Sequence, residues 1–556
     1  MYIMKKTNIT TIVLSLSLIA TMASCYSDDS TLADNPISGL TITTDGDETL
    51  YTSYLDYLDI NPIVNRGTAS DTVGLTYRWQ ITEVAKDQAD WIDIGSDLNL
   101  HAVMNNPIAT TPYYLKLTVT DPQQGGIEAY KMWKVYINSA FLDGILVADT
   151  RDNQSSDISL VMSKDLTLNY KNDEHIYYGI LEKANGEPLN GLMSQLTFQM
   201  YGRPIFSHTN QVWAVMTDGD CVRFDTEDYS QTGRLSEGGI MTYRPEGLKC
   251  TNSFIAAMRF FLNTDTNIYQ FNTTSANNFG WYDAAASNYK IDNGVVAATT
   301  YYDTYYQNAI WYDATKGCFV YASGNIQMQY GTDFAANSYF DPSNMAGYTA
   351  IAAGMTTDSK TPAFVMKEKS SGNYAIYTFT RYEEGQGYWD DTWTYWTETK
   401  PEVPHSARMR FDIPSEGKQL LDNAVSVFFA ADQSILYVAT STGIYTMNFA
   451  GTSLTVNTNP VFTPASGEKI TKAKLYTQGM YMIEAERVGD PSSGDGIFSE
   501  LPFNKKAVMI ATQKSDYDGN MIVVPMIQLG TGNLDGKNAR TYTGFGKILD
   551  FCTTAY

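Results

Sequence analysis

Histidine and cysteine are scarce in this 556-residue chain, with four of the first and five of the second. None of His101, His175, His208 and His405 stands at zinc-ligand spacing from another, and no H-E-x-x-H occurs. Asp173-Glu174-His175 is therefore read as a polar turn. No C-x-x-C is present, which excludes the usual redox and zinc-knuckle motifs. Basic residues are few as well: 38 Lys and Arg face 61 Asp and Glu, a formal net charge of −23. Binding to phosphate backbones rests on basic patches that release counterions, so nucleic acid is excluded as a partner. There is no G-x-S-x-G nucleophile elbow. The pairs Gly530-x-Gly532 and Gly544-x-Gly546 lack the third glycine and the helix of a dinucleotide site, and read as turn glycines. Beyond the first twenty residues no apolar run approaches the ~20 residues needed to cross a bilayer.

What the chain does have is length, aromatics and an N-terminal address. At this length at least two folded units are expected. Hydrophobic residues make up 43% and aromatics 13%, with 40 tyrosines, so the chain buries a core and favours strands. Lys5 and Lys6 precede the short apolar run Ile12–Ala20, and Ala23-Ser24 lead to Cys25. Residues 1–24 are read as a secretory signal that is removed. Met22-Ala23-Ser24-Cys25 resembles a bacterial lipobox, with Met where Leu is usual, which implies a lipid on Cys25. The following Tyr26-Ser27-Asp28-Asp29, with Asp34 behind it, resembles the surface-export signal of lipoproteins in the Bacteroidota. Residues 25–36 are then a lipidated tether. The expected location is the outer membrane, held by the lipid anchor alone and facing the cell exterior. The other cysteines, Cys221, Cys250, Cys318 and Cys552, are too few for a disulfide scaffold and are expected to be mostly free and buried. Cys221–Cys250 is the first pair to test for a bond.

The fold class expected is all-β. Residues 37–138 carry period-2 apolar runs: Leu75, Tyr77, Trp79 and Ile81; Leu115, Leu117 and Val119; Trp133, Val135 and Ile137. Broken by NP, DP and GG turns, these describe a β-sandwich with Trp79 in its core. Residues 141–556 show recurring strand–turn–strand units: VWAVMTDGDCVRFDT (212–226), RFFLNTDTNIYQFNT (259–273), AIWYDATKGCFVYAS (309–323), PAFVMKEKSSGNYAIYTF (362–379) and SVFFAADQSILYVATSTGIYTMNF (426–449). Their apolar starts fall near 145, 212, 260, 310, 363, 427 and 507. Repeats of about 40–50 residues with four strands each mark a β-propeller, here of seven blades, with six or eight allowed. Thr442–Phe449 reads as an inner blade hairpin.

Tyr77-x-Trp79, followed by Leu117-x-Val119-x-Asp121 and a closing strand, resembles a PKD-type immunoglobulin-like domain. Thr82-Glu83-Val84 stands where that domain has an acidic-glycine turn, so the label is PKD-like. Joined to a propeller behind a lipobox, the chain resembles the PKD-like family lipoproteins of the Bacteroidota. The resemblance implies an accessory to a starch-utilisation-type outer-membrane transporter and its lidding lipoprotein, capturing a glycan or peptide for uptake. It brings no catalytic residues. Repeated S-x-D-x-G-x-T-W boxes of sialidase-like propellers are absent, and a lone Trp389-Asp390 does not make a WD40 protein.

Two candidate ligand sites are aromatic. YEEGQGYWDDTWTYWTE (382–398) holds three of the nine tryptophans. As one strand it would set Trp389, Trp393 and Tyr395 on one side and Tyr388 and Trp396 on the other. Glu383, Glu384, Asp390 and Asp391 beside the rings argue against burial, and rings flanked by carboxylates suit sugar recognition. The run Tyr301-Tyr302-Asp303-Thr304-Tyr305-Tyr306 is a second candidate. The alternative to a binding module is a propeller hydrolase, because a glycosidase needs only two carboxylates about 5–9.5 Å apart. A structural scaffold in an envelope complex is the third reading. No cofactor motif occurs. Asp45-Gly46-Asp47-Glu48 and Asn263-Thr264-Asp265-Thr266-Asn267 offer oxygens to calcium but lack EF-hand order, so they read as exposed turns.

Overall fold

The computed structural model describes residues 39–554 except 45, 68–71, 84–89, 110, 142, 168–173, 200–209, 242–245, 257–258, 266, 273–281, 284–288, 299–308, 324–328, 357–360, 384, 391, 393, 478–480, 484–496 and 500. Residues 1–38, with the signal segment and Cys25, lie outside the described residues. Among the described residues no helix is long and apolar enough to cross a membrane.

The chain divides into two compact units. The first holds the described residues up to Tyr51, with Tyr57–Ala102 and Thr111–Tyr136. Its main sheet is antiparallel, in the order Thr49–Ser53, Ile127–Asn138, Tyr113–Asp121, Thr76–Thr82, Ile92–Gly95. Two strand pairs accompany it, Leu40–Thr43 with Ile63–Arg66 and Tyr57–Ile60 with Leu100–Val103. The period-2 pattern has a direct physical consequence here. Leu115, Leu117, Val119, Trp133, Val135 and Ile137 all point to one face and are buried. Trp79 is fully buried against Trp133, ring centroids 5.3 Å apart, and its indole N–H donates to the Asp97 carbonyl at 2.9 Å. Asp121, which closes the L-x-V-x-D run, is buried in an ion pair with Arg66 at 2.7 Å and caps the next turn by accepting from Gln123 N–H.

The second unit takes Thr52–Asp56, Val103–Thr110 and Ile137–Tyr556. Its described residues form seven antiparallel sheets of four or five strands, in chain order. Six follow chain order, for example Met193–Gln199, Gln211–Met216, Cys221–Asp225 and Gln231–Arg234 in the second sheet, with a separate strand pair inserted in the fifth and in the seventh. The first sheet is different: Ile145–Thr150, Ser155–Met162 and His175–Tyr177 are completed by the C-terminal strand Lys547–Thr553, which lies beside Ile145–Thr150.

Apolar clusters between successive sheets hold them together. One joins the second and third sheets through Trp213, Cys221, Cys250 and Phe260. Another joins the fourth and fifth through Tyr312, Phe319, Phe364 and Met366, and a third the sixth and seventh through Tyr437, Ile444, Ile510 and Val524. The seventh sheet then packs back on the first through Met509, Val523, Val147 and Phe551. At that return, Asp550 of the C-terminal strand is fully buried. It contacts Lys472 and Lys474 of the seventh sheet at 2.8 and 2.6 Å, and accepts the Leu196 N–H of the second sheet at 2.8 Å.

Four of the five repeated sequence units are the middle two strands of a sheet, and 426–449 covers the first three strands of the sixth. Both faces of a middle strand are covered, so it reads as nearly continuous apolar sequence. Gln211–Met216, Ala309–Asp313, Tyr374–Phe379 and Ile435–Thr440 are buried at every residue. Thr442–Phe449, expected as an inner hairpin, instead falls on Gly443–Asn448, the third strand of the sixth sheet, bonded on both sides. One hydrogen bond recurs between sheets. The carbonyl in the turn between the second and third strands accepts the N–H that opens the next sheet: Gly219 from Cys250 at 2.7 Å, Gly317 from Met345 at 2.6 Å, and Ser441 from Ile470 at 2.9 Å. Gly219 and Gly317 both have positive φ, and a Cβ on either would meet Lys249 or Ala346 within 3 Å. The four described cysteines are free in this structure; Cys221, Cys250 and Cys318 are buried and Cys552 half-buried.

Candidate functional site

The aromatic segment 382–398 is not one strand. It folds as a hairpin, Gln386–Trp389 against Trp396–Lys400, inserted between the third and fourth strands of the fifth sheet, Tyr374–Phe379 and Ala407–Asp412. The stem is tied twice: Thr380 N–H donates to Ser406 O at 2.8 Å, and Glu383 and Val403 exchange backbone hydrogen bonds. Buried Tyr382 packs on buried His405, whose Nδ1 lies 2.7 Å from the Thr380 carbonyl. Burial pushes the His405 imidazole down to about 4, so it is neutral across the physiological range.

Asp390 makes the reversal. Its carboxylate accepts the Thr394 and Tyr395 N–H groups at 2.7 and 3.1 Å and the Thr392 hydroxyl at 2.8 Å. Those backbone and hydroxyl donors hold it below the usual carboxylate range. The turn overturns the facing expected for a single strand. Trp389 and Trp396 are direct cross-strand partners and therefore share a face, with ring centroids 5.5 Å apart and planes at 57°. Trp396 lies over Gly387, where a Cβ would collide with its indole. All four rings expected here and described are solvent-facing: Tyr388 is 60% exposed, Trp389 47%, Tyr395 73% and Trp396 48%. Trp393, Glu384 and Asp391 lie outside the described residues, as do Tyr301, Tyr302, Tyr305 and Tyr306.

The flanking carboxylates serve the hairpin itself. Glu383 pairs with Lys400 at 2.6 Å and Asp390 caps the turn. The acid that shares the tryptophan face is exposed Glu398, opposite Gly387 and two residues beyond Trp396. It was missed because its neighbours in sequence carried the aromatic signal; strand alternation, once the turn is known, points to it.

Carboxylates elsewhere are also engaged in structure. Asp149 and Asp157 are cross-strand partners. Asp149 accepts Gly546 N–H at 2.6 Å, while Asp157 accepts the N–H groups of Ile158, Leu181 and Glu182 and so caps the helix Ile180–Asn185. Burial raises both, Asp157 to about 6. Among the described residues no group of three or more His, Cys, Asp and Glu side chains could hold a metal ion. Asp265 accepts Lys249 N–H and Thr264 bonds Asn267.

No family model matches the chain, and no curated protein matches it by sequence. Solved structures do. Hsv2p of Kluyveromyces lactis matches at 10% identity over 73% of this chain and 96% of its own, with a TM-score of 0.30. Apo AztD from Citrobacter koseri matches at 8% identity over 86% and 98%, TM-score 0.31. The Cps50 (Swd1) beta-propeller domain of Myceliophteria thermophila matches at 9% identity over 59% and 92%, TM-score 0.31. At such scores the likenesses decide nothing about this chain, and its all-β architecture rests on the strand pairing above.

Proposed function

We propose that the second unit is a seven-bladed β-propeller and that the protein is a surface lipoprotein, anchored through Cys25, that binds a nutrient ligand as an accessory to an outer-membrane transporter. Seven successive sheets, the last packing on the first and the C-terminal strand completing the first, support the blade count. The first unit, with buried Trp79 and the L-x-V-x-D strand, is read as PKD-like.

The observation that carries the binding assignment is the solvent-facing Trp389–Trp396 pair on a hairpin that closing the sheet does not require. Two indoles at an angle, with Glu398 on the same face, offer apolar ring faces and a hydroxyl acceptor. That combination suits a glycan better than a peptide. The test is a glycan and peptide array on the soluble chain, followed by calorimetry with the best ligand. Each of Trp389→Ala and Trp396→Ala should weaken binding roughly tenfold, corresponding to about 1.4 kcal/mol for a lost stacking face. Two alanine variants that bind like the parent would sink the site assignment. Product released from any arrayed glycan would replace capture with hydrolysis, and ligand-independent pull-down of the transporter without array binding would favour the scaffold.

A further inference from the structure

Cys221 and Cys250 start two strands in neighbouring sheets, Cys221–Asp225 and Cys250–Ala256. They sit at the recurring inter-sheet contact: Cys250 N–H donates to Gly219 O at 2.7 Å, two residues before Cys221, and Leu235 N–H donates to the Cys221 carbonyl at 2.8 Å. Both side chains belong to one buried cluster with Trp213, Val215, Phe260 and Leu262. Between the fourth and fifth sheets the same hydrogen bond, Met345 N–H to Gly317 O, brings together Phe319 and Met345, which also share a buried cluster. The geometry that elsewhere gives an apolar side-chain contact here puts two thiols in one buried cluster. Cys318, one residue before Phe319 in its sheet, has Val320, Trp311 and Ile291 in its cluster, and no second cysteine.

We infer that Cys221 and Cys250 are a disulfide-forming pair whose bond ties the second sheet to the third and is made while the chain folds. The chemistry is exchange with an external disulfide. One cysteine, as thiolate, attacks a sulfur of RSSR and expels RS⁻. The second thiolate then attacks the protein sulfur of the mixed disulfide and expels the other RS⁻. Two protein thiols are oxidised, one external disulfide is reduced, and the two thiol protons end on two RSH. Once the sheets have closed, both sulfurs are out of reach of solvent, and burial pushes the Cys250 thiol well above its ordinary value. Thiolate is then scarce and access is closed, so the folded dithiol should exchange slowly.

The test unfolds the reduced chain, refolds it with oxidised and reduced glutathione, alkylates in denaturant and maps peptides by mass spectrometry. The expected product is one cross-linked pair joining the Cys221 and Cys250 peptides, with Cys318 and Cys552 alkylated. Cys221→Ser should leave Cys250 alkylated. The folded, reduced protein given the same mixture should cross-link slower by roughly tenfold or more. Where refolding yield is low, the same map on chain secreted into an oxidising compartment gives the readout. Alkylation of both Cys221 and Cys250 after oxidative folding, or a bond to Cys318 or Cys552 instead, would overturn the pairing. Equal rates from the folded and unfolded chain would overturn its timing.

Discussion

Gly317 sits at a close contact between two sheets, and replacing it by alanine tests how the inter-sheet contact works. Its φ is +67°, a conformation that costs alanine about 1 kcal/mol. The new Cβ would stand 2.8 Å from Ala346 Cα and 3.0 Å from Ala346 N. That backbone cannot yield cheaply, because Met345 N–H is bonded to Gly317 O at 2.6 Å and Phe319 N–H to Pro342 O at 2.9 Å. Overpacking against fixed backbone adds about 1–3 kcal/mol, and the stiffer unfolded chain returns about 0.4–1 kcal/mol. The net loss expected is about 2–3 kcal/mol. Gly451 is the control: its φ is +64°, yet nothing lies within 4 Å of its would-be Cβ. Gly451→Ala should lose only about 0.5 kcal/mol, the backbone cost less the unfolded-state return. Urea unfolding followed by tryptophan fluorescence measures both, with buried Trp311 reporting from the same sheet. For a unit of roughly 400 residues the Gly317 variant should also melt about 2–4 °C lower. Equal losses from the two alanines would refute the close-approach argument and leave only backbone conformation.

Asp550→Asn keeps an acceptor for Leu196 N–H but removes the charge shared by Lys472 and Lys474, and should cost about 2–4 kcal/mol in urea unfolding. A loss under about 0.5 kcal/mol would mean that the return of the seventh sheet to the first does not depend on this ion cluster. Asp157 titrates near 6 in the fold, against about 4 in the unfolded chain, so between these values the folded state holds the extra proton and stability falls as pH rises. Its share is at most about 3 kcal/mol, and the parent should lose more stability than Asp157→Asn between pH 4 and pH 7; parallel profiles would show that this carboxyl is not responsible.

The middle strands were legible in the sequence because they are covered on both sides and so repeat as apolar runs. Six of the seven expected starts fall on the second strand of a sheet, counted from Lys547–Thr553 in the first sheet and from the earliest strand in the others; the one at 427 falls on the first strand of the sixth, Ala424–Phe429. Edge strands were faint for the same reason. Gln231–Arg234 and Thr455–Phe462 are half exposed and hold no fully buried residue, with little to separate them from loops. The C-terminal strand Lys547–Thr553 gave no sign that its neighbour is Ile145–Thr150, since pairing across the whole chain leaves no local pattern. At the candidate site, composition revealed the exposed aromatics, but facing depended on one turn. Asp390 reverses the chain through its side chain, and a reversal inside a run of rings inverts which of them are neighbours.

Where the hairpin is attached governs what substitutions in it can report. The sixth sheet joins its third and fourth strands through 449–454 alone, so the longer path 380–406 in the fifth is an addition to the sheet, not a condition of it. Its anchors, Tyr382 and His405, are buried at the stem, while Trp389 and Trp396 are about half exposed. Neither tryptophan belongs to the apolar clusters that join the fifth sheet to its neighbours. Truncating either ring leaves no cavity between sheets, so the large losses of core truncation do not apply. Loss of ligand in these two variants is therefore loss of contact rather than loss of fold. The same logic makes Tyr382 and His405 poor probes, because truncation there loosens the stem and moves the rings without removing them.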